Sequence, residues 1–294
     1  MVCVRDERVL IAEFHLGVED AGTDRHSVGL LDDTEWNLLY KGMAKYYCHI
    51  VSIFEKARAY SYVVEFSRLA LQFISSTNPA EAQLIRAEML SRQFNAAVAI
   101  SSFDVAHAAL LSMTDQAVQH SSLRKLIDKM CESCHNIELT SLPFTGLTAT
   151  VDDILTQKCR SSGDVVHGVP YHQIHYSWRI SRNDYRGAAS VLLERIHKLQ
   201  AAGEGDKFVG EDVLDTPVTR HYLLLINALS CVDPKQAWIF SEEVSDTEGG
   251  VKPGKRKVVT LADVRKQYQE ELDRIAAIQN DQFGFEADDA MQIL

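Results

Sequence analysis

The chain has few of the residues that interrupt regular structure, because its 294 residues include only 15 glycines and 6 prolines. An all-β protein of this size would need many tight turns, which depend on these two residue types. No apolar run approaches the roughly 18 residues that a membrane-spanning helix requires. The first residues include Asp6 and Glu7 and do not resemble a signal peptide. The sequence therefore predicts a helical protein that does not span a membrane.

The chain also lacks an excess of basic over acidic residues. The chain has 41 acidic and 30 basic residues, and its net charge is −11 at pH 7. Surfaces that bind nucleic acid are normally basic, so this function is disfavoured. Hydrophobic residues make up 46% and charged residues 24% of the chain, which is ordinary for a globular protein with a sizeable core. Six cysteines without a secretory leader predict free thiols in a reducing compartment.

Apolar residues recur at helical spacing along most of the chain, most clearly from residue 171 to residue 200. Pro170 precedes a first helix, and Asn183 and Asp184 end it and cap a second. The second helix carries one apolar stripe, formed by Tyr185, Ala188, Ala189, Leu192, Ile196 and Leu199. A helix pair cannot bury such a stripe alone, so we expect it to stack on further pairs.

Other segments carry the same kind of stripe. One long helix is predicted from Asp32 through Phe54, and an alanine-rich helical region from Ala80 to Met113 with breaks near Gln93 and Ser102. Near the other end of the chain, a short helical turn is predicted to finish at residues 237–240.

The stripes predict roughly ten helices and no βαβ unit. The fold class that fits is all-α, an irregular α-helical solenoid of stacked helix hairpins; a compact helical bundle is the alternative. Residues 1–31 form a predicted N-terminal junction with an acidic loop, and residues 32–278 the helical domain. Residues 241–257 form a predicted mobile loop within that domain, and residues 279–294 an acidic tail.

Three residues match the C-x-x-C-H pattern of covalent haem attachment: Cys131, Cys134 and His135. Both cysteines continue the apolar stripe of the preceding helix, and a buried free cysteine behaves as a small hydrophobe. We therefore interpret both as core residues.

A zinc site would need four converging ligands, usually as two close pairs. Beyond the first cysteine pair the chain offers Cys159, His167, His172 and His175, but no second C-x-x-C. Packing or surface histidines are the favoured interpretation, and no metal or cofactor is predicted.

The glycine-rich stretch from Gly249 to Lys255 fits part of a phosphate-binding loop. It ends in Arg256 rather than Ser or Thr, and a strand before it and a helix directly after it are both missing. We interpret it as a solvated basic loop, with a nuclear-import patch as the alternative. The sequence contains no catalytic motif, although an enzyme site assembled from distant residues stays open.

Four segments resemble one known family, in its order. The first covers Ser122 to Ile127 with Cys131 and then Leu142 to Phe144. The second matches at Tyr171, His175, Tyr176, Arg179, Ile180, Arg182, Asn183, Asp184, Tyr185, Arg186, Gly187 and Ala188. The third and fourth comprise Tyr222, Asn227, Pro234 and Ala237 to Ile239, then Leu261 to Val264 with Arg274 and Ile275.

These segments resemble the large nucleoporins of the 120/160 class, whose second segment reads Y-x-x-x-Y-A-F-H-I-Y-R-x-N-Y-R-K-A. The resemblance covers residues 80–278; Trp178 stands where the family has Phe, and residues 241–257 match nothing. In length and style the chain is similar to the C-terminal helical domain of the fungal form, without the N-terminal propeller.

The resemblance implies a structural scaffold and interaction hub in the Y-shaped complex of the nuclear pore, at the nuclear envelope, supporting nucleocytoplasmic transport and mRNA export. The implied partners are the C-terminal helical domains of the 85-kDa-class nucleoporin and of the Sec13-binding nucleoporin. Catalysis, a cofactor, a small-molecule substrate, nucleic-acid binding and a membrane span are not implied. Another helical-repeat adaptor, such as a vesicle-coat or TPR-like protein, and a haem or metal protein using the C-x-x-C-H residues are the alternatives.

The end of the helical stack is the predicted partner-binding region, because a terminal unit lacks a neighbour on one side. The candidates are Tyr222, Leu225, Trp238, Phe240, Tyr268, Leu272 and Ile275. The alternative is that all seven are internal core residues. On the outer face of the last helix, Arg265, Lys266 and Glu270 would form a polar rim or a merely solvated surface.

Overall fold

A computed structural model describes residues 33–74, 79–204, 215–242 and 256–289. Within these ranges the chain forms twelve helices and two strands. The all-α class is therefore confirmed, with one small hairpin added to the helices. The chain divides into two compact units, Met1–Met130 and Cys131–Leu294.

The described part of the first unit is entirely helical. Its helices are α1 (Asp33–Tyr40), α2 (Met43–Lys56), α3 (Tyr60–Gln72), α4 (Pro79–Ala99), α5 (Phe103–Leu111) and α6 (Gln116–Glu132), with the division between the units inside α6. Consecutive helices from α1 to α5 pack against each other, as the predicted helix hairpins require. Their core contains Val51, Val63, Ala70, Met89, Phe94 and Leu110.

Two of the predicted helix boundaries in this unit are wrong. The long helix predicted from Asp32 is broken at Gly42, whose φ of 110° ends α1 and starts α2. Only glycine adopts this backbone conformation without strain, and the apolar stripe hides the break because it continues in phase. The predicted break near Gln93 does not occur, since α4 runs on to Ala99. The break near Ser102 is confirmed, where Ser101 adopts a left-handed φ of 58°.

The second unit combines helices with a hairpin. Its elements are α7 (Asn136–Ser141), α8 (Thr148–Ser161), α9 (Tyr171–Ile180), α10 (Tyr185–Ala201), α11 (Pro217–Ser230), β1 (Trp238–Glu242), β2 (Arg256–Thr260) and α12 (Leu261–Asp289). Helix α10 packs against α9, α11 and β1, and α11 packs against α12. A continuous core joins α10, α11, the hairpin and α12, and it includes Leu192, Ile196, Val218, Leu225, Leu229, Ile239, Val259 and Val264.

The helical turn predicted to end at Phe240 is wrong, because Trp238–Glu242 is a strand that pairs antiparallel with Arg256–Thr260. The aromatic and β-branched residues here favour a strand. Ile239 and Val259 lie on one face of the hairpin and pack into the core. The strands also take in both ends of the predicted loop 241–257. Residues 243–255 lie outside the described residues, as does the predicted junction 1–31.

The last helix is longer than predicted, since α12 runs to Asp289 and includes the first part of the predicted tail 279–294. None of the described helices combines the length and the apolar character needed to cross a bilayer.

Two threonines begin helices through the same reciprocal cap but differ in burial. Thr216 Oγ1 accepts a hydrogen bond from the Thr219 amide at 3.1 Å, and Thr219 Oγ1 accepts one from the Thr216 amide at 2.9 Å. Thr260 and Asp263 form the equivalent pair at the start of α12. Thr216 is fully buried, whereas Thr260 is exposed.

We expect Thr216→Val to lower the free energy of unfolding by about 2 kcal/mol, because no water replaces the lost acceptor at a buried helix start. The same change at Thr260 is the matched control and should cost only about 0.5 kcal/mol. Urea unfolding of both variants checks the difference. Equal losses at the two sites would contradict the proposed effect of burial.

Candidate functional site

The turn between α9 and α10 contains the residues of the most specific sequence motif. Asn183 adopts a left-handed φ of 59°, which ends α9 and reverses the chain. The Asp184 carboxylate then accepts a hydrogen bond from the Gly187 amide at 2.9 Å and caps α10. A Cβ atom at position 187 would overlap this carboxylate. The motif therefore encodes a tight helix hairpin.

Arg179 joins three helices through one guanidinium. Its Nε and Nη2 atoms donate to Asp152 Oδ1 at 2.8 Å and Oδ2 at 2.6 Å, which fixes α9 to α8. Its Nη1 atom donates to the Gly187 carbonyl at 2.8 Å and to Ser190 Oγ at 3.2 Å on α10. Burial alone would raise the pKa of Asp152, but the hydrogen bonds from Arg179 and His175 outweigh it and hold that pKa well below its usual range.

His175 completes an arrangement that superficially resembles a catalytic triad. Its Nε2 atom lies 2.8 Å from Asp152 Oδ1, and its Nδ1 atom lies 3.8 Å from Cys159 Sγ. A nucleophilic cysteine needs a lowered pKa and access for substrate. Cys159 is 1% exposed, and burial raises its pKa to about 12. This arrangement is therefore a buried polar contact that binds α8 to α9, and it offers no accessible nucleophile.

Among the described residues, His167, His172 and the cysteine pair do not converge with this network into a metal site. His172 is buried and His167 is exposed. Within the part of the chain that the structure describes, no three His, Cys, Asp or Glu side chains are grouped as metal ligands. Cys131 is buried as predicted, but the prediction for Cys134 is wrong, because α6 ends at Glu132 and Cys134 is exposed. Beyond the helix end, the spacing no longer keeps the two cysteines on one face.

The seven predicted partner-binding residues fall into three groups. Tyr222, Leu225 and Ile275 are buried inside the second unit. Trp238, Tyr268 and Leu272 are half-buried, and the Tyr268 ring lies 6.3 Å from the Tyr222 ring. Phe240 is the exposed member of the set. The three rim candidates Arg265, Lys266 and Glu270 are exposed on α12, and Lys266 lies 3.4 Å from Glu270.

An apolar face of the hairpin points away from the core. We call Trp238, Phe240 and Val258 the hairpin face. Phe240 and Val258 are paired in register and are 49% and 50% exposed. The Trp238 and Phe240 rings make an edge-to-face contact at 5.1 Å. The Arg186 guanidinium lies 3.6 Å from the centroid of the Trp238 ring.

Val258 was not among the residues predicted from the sequence. It directly follows the predicted loop 241–257, and no role was assigned to it. The alternation between exposed Val258 and buried Val259 would have indicated a strand with one outward face. Three apolar side chains on a two-stranded sheet, braced by an arginine from α10, form a surface suited to contact with another protein.

Consecutive helices that pack in pairs place this chain in the helical-repeat class of proteins. The family model "Nucleoporin Nup120, HEAT repeats" matches residues 11–132. The chain is 46% identical to nucleoporin NUP120 of Chaetomium thermophilum over 90% of its length, and it spans 28% of that protein. The chain belongs to the Nup120/Nup160 family of nucleoporins.

More distant relatives have the same family name or its animal counterpart. Nucleoporin nup120 of Schizosaccharomyces pombe is 24% identical over 79% of the chain, which spans 20% of that relative. Nuclear pore complex protein Nup160 of Mus musculus is 29% identical over 49% of the chain, which spans 10% of that relative. The chain thus corresponds to about a quarter or less of the length of these relatives.

The buried His175 predicts a stability that falls in mild acid. Burial lowers its pKa, and the contact with Asp152 only partly opposes this. Below its ordinary pKa of about 6.5, the unfolded chain takes up a proton that the folded chain resists. Stability from this group is therefore present above about pH 6.5 and is lost as the pH falls toward the lower folded pKa.

We expect the free energy of unfolding to fall less steeply between pH 7 and pH 5 in His175→Gln than in the wild type. Urea unfolding at pH 7, 6 and 5 measures both slopes. His167→Gln, at an exposed position, is the matched control and should keep the wild-type slope. An unchanged slope in His175→Gln would show that this histidine does not contribute to the pH dependence.

Proposed function

We propose that this chain is a structural scaffold segment of the nuclear pore complex at the nuclear envelope, where it acts as an interaction hub of the Y-shaped nucleoporin complex. Membership of the Nup120/Nup160 family carries this proposal. In that setting the chain supports nucleocytoplasmic transport and mRNA export by holding other nucleoporins in place. The function requires no catalytic step, in keeping with the buried and protonated Cys159 thiol.

The proposed partners are the C-terminal helical domains of the 85-kDa-class nucleoporin and of the Sec13-binding nucleoporin. Resemblance of the four sequence segments to the large Y-complex nucleoporins supports this choice. Stacked helices present long surfaces without needing a cavity, so contacts with other helical domains suit the fold.

We place one of these contacts at the hairpin face. Large aromatic residues that are partly exposed contribute most to the binding free energy of protein interfaces, because their burial on binding removes much apolar area from solvent. Phe240 has such an exposed ring, and the Arg186 contact on Trp238 holds the neighbouring ring in a fixed position. Of the seven residues predicted from the sequence, Tyr222, Leu225 and Ile275 stabilise this surface from inside the unit.

Reconstitution tests the function directly. The chain is mixed with the two partner domains, and the mixture is analysed by size exclusion with light scattering. A stable three-way complex is the expected result. If the chain elutes alone at micromolar concentrations with both partners, the hub function is wrong, and another type of helical adaptor becomes the better interpretation.

We expect Phe240→Thr and Val258→Thr, made together, to weaken binding to at least one partner domain about tenfold or more. Threonine retains a preference for strands, so the melting temperature of the isolated chain should change little. Isothermal titration calorimetry and thermal unfolding measure the two quantities. Ile137→Thr removes an apolar side chain that is 85% exposed in the same unit and should leave both unchanged. Full affinity in the double variant would exclude the hairpin face as a docking surface.

A further inference from the structure

A cleft of the second unit opens to solvent beside the turn between α7 and α8. It has a volume of about 310 Å³ and is lined by residues 140–145, Thr148, Ser181 and Arg182. We call it the Arg182 cleft. Its lining includes no acidic side chain, although the chain as a whole carries a net charge of −11. The cleft is therefore a positively charged site on an acidic protein.

The guanidinium of Arg182 is held in place by groups at the end of its own helix. Its Cζ atom lies 3.0 Å from the centroid of the Trp178 ring. Its Nη1 atom donates hydrogen bonds to the Trp178 carbonyl oxygen at 3.3 Å and to Ser181 Oγ at 2.8 Å. An exposed arginine normally loses rotamer freedom when it pairs with a partner. Because the fold has already restricted this side chain, a partner gains the contact at a smaller entropic cost.

The edge of the same guanidinium formed by Nε and Nη2 is open. Within the described part of the chain these two nitrogens of Arg182 donate to no acceptor, and neither is among the solvent-shielded atoms that lack a partner. Three residues earlier, Arg179 uses the same two nitrogens to bind both carboxylate oxygens of Asp152. The nearby Asp152 carboxylate is thus already engaged, and the Asp184 carboxylate caps α10. Arg182 therefore presents a pair of donors that a ligand can reach.

We infer that the Arg182 cleft binds an aspartate or glutamate side chain of a partner protein when the scaffold assembles. The Nε and Nη2 atoms present two parallel N–H groups that match the two oxygens of a carboxylate. Helix α8 begins at Thr148 without a side-chain cap, and the positive end of its dipole adds to the attraction because Thr148 lines the same cleft. The inference rests on the proposed function, since it names the chemistry of one further contact within the hub. The cleft shares no residue with the hairpin face.

Arg182→Lys tests whether the parallel donors matter. Lysine keeps the charge and an aliphatic stem beside Trp178, but its ammonium group lacks the donor edge. We expect the affinity for the 85-kDa-class domain or for the Sec13-binding domain to fall about tenfold, as measured by isothermal titration calorimetry. Arg160→Met removes an exposed arginine of α8 outside the cleft and should leave both affinities unchanged. Full affinity for both domains in Arg182→Lys would overturn the inference.

A second pair of variants tests the charge of the bound side chain without altering Arg182. Thr145 is an exposed residue of the cleft lining, so a glutamate or a glutamine at this position leaves the core intact. Thr145→Glu introduces a carboxylate that competes for Arg182 and repels an acidic side chain of the partner. Its affinity for the domain that depends on Arg182 should be at least about tenfold lower than that of Thr145→Gln, at equal melting temperatures. Equal affinities of these two variants would contradict an acidic ligand.

The state of the partner domains and the wild-type titrations separate the remaining outcomes. Domains produced in bacteria carry no phosphoryl groups, so losses of this size with such domains assign the contact to a carboxylate. If Arg182→Lys weakens binding only after the domains are treated with a protein kinase, a phosphorylated side chain is the occupant and the carboxylate assignment is wrong. If the inference alone is wrong, the wild-type chain and the Arg182 and Thr145 variants bind equally well. If the proposed function is wrong, the wild-type chain binds neither domain, and the inference falls with it.

Discussion

The bidentate ion pair between Arg179 and Asp152 is the interaction on which the second unit depends. It fixes α9 to α8, and the remaining donor of the same guanidinium reaches the Gly187 carbonyl and Ser190 on α10. The turn at Asn183 and the Asp184 cap set the distance that this guanidinium has to bridge. Asp152 is partly buried, and its pairing with Arg179 and His175 offsets the cost of burying its charge. In this chain the segment thus fixes three helices: Arg179 bridges them, Asp184 caps α10, and Gly187 leaves room for that cap.

A fixed α10 in turn positions the surface that we assign to partners. Its apolar stripe supports α11 and the inner face of the hairpin through Ile239 and Val259, and its Arg186 side chain stacks on Trp238. A two-stranded hairpin is only marginally stable by itself, so its outward aromatic side chains are held by the helix core behind them. The stability of the second unit and the position of its hairpin face therefore both depend on residues of α10.

Helical periodicity and capping residues were sufficient to predict most of the helices. The starts of α9 and α10 at Pro170 and Asp184 could be predicted because a first-turn proline and a capping aspartate act locally. The break at Gly42 could not, since the apolar stripe continues in phase across it, and the same local signals suggested a break at Gln93 that tertiary packing overrides. The hairpin was missed because its two strands are separated in sequence by residues 243–255, and short apolar runs fit a helix or a strand equally well. The pairing of Asp152 with Arg179 could not be predicted from a local sequence pattern, because the two residues are 27 positions apart.

A double-mutant cycle between Asp152 and Arg179 tests most directly whether this ion pair holds the second unit together. The free energy of unfolding is measured for the wild type, Asp152→Ala, Arg179→Met and the double variant. If the pair acts as described, each single change removes the bidentate partner of the other charge, and the coupling energy is about 1.5 kcal/mol or more even though Asp152 is partly exposed to solvent. A coupling energy below about 0.5 kcal/mol, with additive losses in the double variant, would mean that the two residues stabilise the unit independently.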